Sequence, residues 1–135
     1  MTSTIQYDGN LRTRCTHIRS GSVIETDAPV DNNGKGERFS PTDLVATALG
    51  TCMITIMDMK AQAMEIDLSG LTIDCEKIMG SDPRRITGIN LTFHFPEALH
   101  TSEKQRTILE NAALSCPVIK SIHPDINVKT DFNWS

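Results

Sequence analysis

Three features of the sequence predict an α+β fold in one domain spanning residues 1–135. The first segments alternate apolar and polar residues and are punctuated by turn residues. A single long apolar segment with a helix-start signal occupies residues 40–64. Two more alternating segments, a second helical segment and a closing strand follow it. The bulk composition agrees. With 39% hydrophobic and 22% charged residues over 135 positions, the chain is too apolar for disorder and long enough to bury a core. Aromatics supply only 4%, so Leu, Ile, Val, Ala and Met must fill that core.

The elements follow in order. Residues 4–26 read as an antiparallel hairpin or meander, with turn signals at Asp8-Gly9-Asn10 and Ser20-Gly21. Residues 27–38 cluster Pro, Asn and Gly into a loop. Its Gly-Lys-Gly lacks the spacing and the Ser/Thr of a phosphate-binding loop. Ser40 is the expected N-cap of the long helix, with Pro41 in the first turn and Asp43 closing a capping-box-like pattern. Its polar residues Thr47, Thr51, Thr55, Asp58 and Gln62 form one narrow stripe, and nearly all else is apolar or small. That pattern predicts a long buried central helix with antiparallel sheets outside. A chain this short can hardly cover such a helix on every side, so a second copy of the chain is expected against it.

Two strands are predicted around Leu71, Ile73 and Cys75, and around Ile89, Leu91 and Phe93, with Ser81-Asp82-Pro83 between them. Ser102 and Gln105 form a capping box for a second helix. Pro117 then starts a short third helix with Cys116 at its N-cap, and residues 125–134 close the chain as a strand.

Several function classes are disfavoured. The net charge of −4 and the lack of a basic run argue against nucleic acid. The N-terminus has no signal-peptide core, and no window reads as a membrane span of about 18 apolar residues, so a cytoplasmic location and no membrane partner are expected. No cofactor is implied. The four histidines are scattered and no Cys-x-x-Cys occurs, so no metal site is expected.

The chemistry-bearing candidates are therefore thiols. Cys15, Cys52, Cys75 and Cys116 should rest reduced in a reducing compartment, and any disulfide there would be transient. A thiol at the Cys116 N-cap meets unpaired N–H groups, which favour thiolate; the bland alternative is a small residue at a helix junction. Cys52 lies in a helix interior without that help and needs a nearby cation to react, or else is packing. Cys15 and Cys75 read as strand packing. Arg12, Arg14, Arg19 and Arg38 are the basic candidates. Arg12 and Arg14 share one strand face, and the plain reading of both is solvated surface.

The stretch FSPTDLVATALGTCMITIM and the later ALSCPVIKSI, with Cys116 placed 64 positions after Cys52, resemble the OsmC/Ohr family of osmotically inducible and organic hydroperoxide resistance proteins. The likeness extends from YDGNLRT through the last strand. TDAPVDNNGKGERFSPTDL is closer to the general OsmC-like branch than to the Ohr branch. The resemblance implies an intertwined homodimer built on two long central helices. It also implies a thiol-dependent peroxidase, in which Cys52 attacks an organic hydroperoxide and Cys116 resolves the sulfenic acid to a disulfide. A thiol or lipoyl-type reductant then restores both. Arg12 in GNLRT would supply the cation from either subunit, with Arg38 as its rival, and Leu49 and Met53 would line the apolar substrate site. The resemblance implies a glutamate ten residues before the first cysteine in the family's peroxidases, where it holds the arginine. Here that position is Thr42, and Asp43 is the neighbouring carboxylate that could replace it. The missing glutamate motivates the alternative, a non-catalytic OsmC-like redox or small apolar ligand-binding dimer.

Overall fold

The computed structural model describes residues 1–135. The chain runs β1 (Ser3–Gly9), β2 (Arg12–His17), β3 (Val23–Asp27), a 3-10 turn (Val30–Asn32), α1 (Pro41–Ala63), β4 (Thr72–Gly80), β5 (Arg85–His94), α2 (Glu103–Ala113), α3 (Pro117–Ser121) and β6 (Asn127–Asn133). The mixed α+β class is as the sequence predicts. Two compact units are present, Met1–Val45 and Ala46–Ser135.

The first unit is an antiparallel meander in the order β1-β2-β3. Gly9, Asn10 and Leu11 all take positive φ, which closes the β1–β2 hairpin across a bulge between Tyr7 and Gly9. The register sorts the side chains into two faces. Ile5, Cys15 and Ile24 share one rung of an apolar face, whereas Arg12 stands opposite Asp27 and Arg14 opposite Glu25 on the charged face. Ile5 and Tyr7 on the apolar face are 72% and 65% exposed. The loop after β3 folds back on the strand end through Gly36 N–H donating to Ala28 O and Gly34 N–H donating to Pro29 O. A side chain at Gly34 would enter the Ala28 carbonyl, so the glycines of Gly-Lys-Gly serve close backbone packing.

The start of α1 is capped as its sequence predicts. Asp43 N–H donates to Ser40 Oγ, and Ser40 N–H donates to the Asp43 carboxylate. One chain alone buries only part of the helix. Within one chain, Ala46, Leu49, Gly50, Met53, Met57 and Ala61 are buried at spacings of three and four, a single stripe. Thr51 and Thr55 are exposed and Thr47 is half-buried, and the Thr51 and Thr55 hydroxyls bond carbonyls of their own helix. Met59, on the same outer side, is 62% exposed. The membrane expectation also needs correction on one point. By length and hydropathy α1 is long and apolar enough to cross a bilayer. The interspersed threonines interrupt the continuous apolar run that marks a span in sequence. The buried stripe instead packs on the second sheet.

That sheet has the order β4-β5-β6. β4 and β5 pair antiparallel, but β6 runs parallel to β5, so the expectation of purely antiparallel sheets is corrected. The helices between β5 and β6 provide the crossover that a parallel pair requires. Ile89, Leu91 and Phe93 alternate inward from β5 at 1% exposure or less. Gly50 of α1 faces Leu91 and Ile73 of this sheet. α2 carries the full Ser102/Gln105 capping box. Trp134 stacks on Phe95 with ring centroids 3.4 Å apart and donates its indole N–H to Glu110, which ties the chain end to α2.

Candidate active site

Cys52 lies midway along α1, half-buried and packed against the core. Cys116 lies at the N-cap of α3 and is completely buried. The fold of the second unit packs Cys52 against the buried cluster that contains Cys116, close enough for the two thiols to interact across 64 positions of sequence. Both are reduced. Ile119 N–H donates to Cys116 Sγ at 3.4 Å, so the sulfur caps the short helix as its position predicts. The expected preference of Cys116 for thiolate is reversed. Removal from water pushes this thiol above its ordinary value, outweighing the amide donors, and the neighbouring Cys52 adds to the rise. Cys116 is therefore held as a neutral S–H beside Cys52.

Cys15 is half-buried on β2, in the first unit, and Cys75 is exposed on β4. Leu49 and Met53, expected to touch substrate, have no exposed surface and belong to the core. The accessible apolar surface near Cys52 is different. A groove of about 520 Å³ runs along α1, lined by Ile54, Thr55, Met59 and Leu68 with Asp58 and Gln62 at its polar side. Thr55 and Met59 stand three and seven residues after Cys52, on the same helix face. Thr55, Asp58 and Gln62 belong to the polar stripe that the sequence marks on this helix, but the pattern alone gives no sign of a groove beside it.

The first unit holds the basic candidates. Arg12 Nε and Nη2 each donate to the Asp27 carboxylate at 2.8 Å, and Nη2 also donates to Glu37 at 3.0 Å. Asp27 is 1% exposed, and it accepts a further bond from Glu37 N–H at 3.1 Å. The Arg12 guanidinium holds the Asp27 carboxyl below the usual carboxylate range, and the two carboxylates raise Arg12 further above its already high value. Arg12 is thus an ordered, bidentate ion pair rather than a solvated surface residue. The carboxylates that hold it are Asp27 and Glu37. Asp43, offered for this role by the sequence, closes the helix cap through its bonds with Ser40, and the Thr42 hydroxyl also meets Ser40 Oγ. Arg38 donates to Glu25 at 2.9 Å and to the Glu37 carbonyl. Sequence reasoning misses Asp27 and Glu37, although a signal exists. The segments RTR of β2 and ETD of β3 are complementary in charge once the hairpin register is set.

Comparison with known proteins gives the kinship. A family model described as OsmC-like protein matches residues 34–131. The chain belongs to the OsmC-like family. A crystal structure of a Psychrobacter arcticus 273-4 protein, named for osmotic stress induction and a detoxification response, is 49% identical to this OsmC-like chain. It matches over 98% of this chain and 96% of its own, with a TM-score of 0.94. An organic hydroperoxide resistance protein OsmC from Legionella pneumophila shares the fold at 17% identity and a TM-score of 0.76, over 99% and 98% of the two chains. One from Elizabethkingia anophelis does so at 15% identity and a TM-score of 0.75, over 100% and 97%. Comparison with curated proteins finds no match.

Proposed function

We propose that this OsmC-like chain is a thiol-dependent peroxidase that reduces organic hydroperoxides. The observation that carries the reading is the packing of Cys52, within one protomer, against the buried cluster that holds Cys116, with the two thiols close enough to perturb one another. In the reaction, Cys52 sulfur attacks the terminal peroxide oxygen and the O–O bond breaks. The products are the Cys52 sulfenic acid and an alkoxide, which takes up a proton and leaves as the alcohol. Cys116 sulfur then attacks the sulfenic sulfur, a disulfide forms and water leaves. A dithiol of the lipoyl type, or two monothiols, reduces the disulfide and is itself oxidised. Cys116 suits the second role because it is packed close to Cys52, where the sulfenic acid is made.

Arg12 is proposed as the cation that favours the reacting thiolate and polarises the peroxide. Its support is the family resemblance of GNLRT and the order that Asp27 gives its guanidinium. The groove along α1 suits the organic tail, because Ile54, Met59 and Leu68 present apolar surface on the helix that carries Cys52. The working form is proposed to be a homodimer in the cytoplasm. The exposed apolar face of β1–β3 is a surface that a second copy would cover.

The test is steady-state consumption of cumene hydroperoxide with dihydrolipoamide as reductant. Wild type is expected to turn over, and Cys52→Ser to lose activity by at least about 10³-fold. Equal rates for the two proteins would reject Cys52 as the nucleophile. Binding of an apolar ligand by a protein whose thiols stay inert would favour a non-catalytic binding role.

A further inference from the structure

Arg12 is held by two carboxylates that differ in every physical respect. Asp27 is buried and grips the guanidinium through two parallel bonds of 2.8 Å. Glu37 has a side chain 59% exposed and makes one bond of 3.0 Å to Nη2. Asp27 stands directly opposite Arg12 in the β2–β3 register, so the sheet fixes it. Glu37 sits in the loop after the glycine pair, and its backbone is fixed separately, through its N–H to the Asp27 carboxylate. Its side chain can therefore swing away without unfolding the loop. With both carboxylates in place, one cation faces two anions and the cluster carries a net charge of −1. A cation so neutralised attracts another anion poorly.

We propose that Asp27 is the positioning residue of Arg12 and that Glu37 is its exchangeable counterion, which leaves Nη2 when an anion arrives there. The proposal rests on Arg12 serving the thiol reaction. Under it, the two carboxylates have opposite effects on function. Losing Asp27 misplaces the guanidinium. Losing Glu37 removes a competitor and frees the cation. A purely structural role for both would make each loss harmful. Asp27 takes over the task that the glutamate absent at Thr42 would perform, from a different strand and with a shorter side chain. The solvent-facing bond to Glu37 is the weaker of the two because water screens it and its own hydration competes with the pairing.

The experiment compares wild type, Glu37→Gln, Asp27→Asn and Asp27→Glu as full-length proteins. Two rates are read: oxidation of Cys52 by cumene hydroperoxide, and modification of Arg12 by phenylglyoxal mapped by mass spectrometry. Glu37→Gln is expected to speed Arg12 modification and Cys52 oxidation by about 3- to 10-fold each, the scale of losing one exposed ion pair. Asp27→Asn is expected to slow Cys52 oxidation by about 10- to 100-fold, in line with misplacing a catalytic group, with partial rescue in Asp27→Glu. If Glu37→Gln slows oxidation as Asp27→Asn does, or leaves Arg12 modification unchanged, the exchange proposal is overturned. If wild type does not react with the hydroperoxide at all, the peroxidase reading fails, and the phenylglyoxal rates decide the exchange on their own. If Asp27→Asn does not fold, the two Glu37→Gln rates alone support or overturn the exchange.

Discussion

Two opposed influences meet at Cys116. The N-terminus of α3 offers it the Ile119 amide, which favours the anion, while complete burial favours the neutral thiol and prevails. The sign for stability follows. A thiol whose folded value is raised contributes stability that is full below the unfolded value of about 8.5 and lost as pH rises through the folded one. Wild type is expected to lose urea resistance above about pH 8.5 more steeply than Cys116→Ser, measured by urea midpoints along a pH series. Asp27 has the opposite sign. Its carboxyl is lowered by Arg12, so the pair's contribution is complete above about pH 3.9 and is lost as pH falls through the lowered folded value. Asp27→Asn should flatten this acid limb, and an acid limb as steep as that of wild type would show that the stabilising charge lies elsewhere. The residues of this pair also show what sequence reveals at this scale. Arg12 could be singled out because its motif is local. Asp27 could not, because its meaning depends on a strand register that only the folded hairpin sets.

At the scale of elements, α1 links patterning to site geometry. Its buried stripe puts Leu49 and Met53 into the core, so their loss should act on stability. Leu49→Ala is expected to cost about 2–5 kcal/mol in urea unfolding, while leaving Cys52 the first thiol to react. A changed order of thiol reaction with unchanged stability would return Leu49 to the substrate site. Gly50 makes a sharper case. A Cβ there would meet Leu91 Cδ2 at 3.5 Å and Ile73 Cδ1 at 3.7 Å, both ordinary contact distances. Gly50→Ala should therefore gain about 0.5–1 kcal/mol from helix propensity, again read by urea unfolding, and a clear loss would mean that the helix surface there is in tighter contact. The boundaries and caps of α1 and α2 were legible because Ser40/Asp43 and Ser102/Gln105 act within one turn. The polar stripe of α1 was legible as well, but what covers the rest of the helix was not. The exposed Thr51 and Thr55 satisfy their hydroxyls on their own helix without breaking it, so the pattern marks the stripe but not what faces it. The parallel placement of β6 was hidden for a similar reason, since strand direction depends on a crossover and not on alternation.

At the scale of the molecule, the fold class, the order of elements and the kinship with OsmC-like proteins were readable from the chain. The cysteine motifs and the helix signals are each local, and their spacing is preserved in the fold. Assembly depends on surfaces that patterning cannot rank. The three-stranded β1–β3 sheet leaves Ile5, Tyr7 and Ile24 exposed on one face, more apolar surface than a small sheet keeps in water alone. A homodimer is expected, with a sedimentation mass twice 14.9 kDa, and Ile24→Lys should shift it towards monomer. A monomer in wild type at micromolar concentration would contradict this assembly.

The central claim is that Cys52 and Cys116 form one redox pair. Its most direct test is the thiol state by mass spectrometry after one equivalent of cumene hydroperoxide, in wild type and in Cys116→Ser. The expected result is a rapid Cys52–Cys116 disulfide in wild type and a Cys52 sulfenic acid in the variant. Thiols that stay reduced in both proteins for as long as a free thiol in solution would contradict the claim.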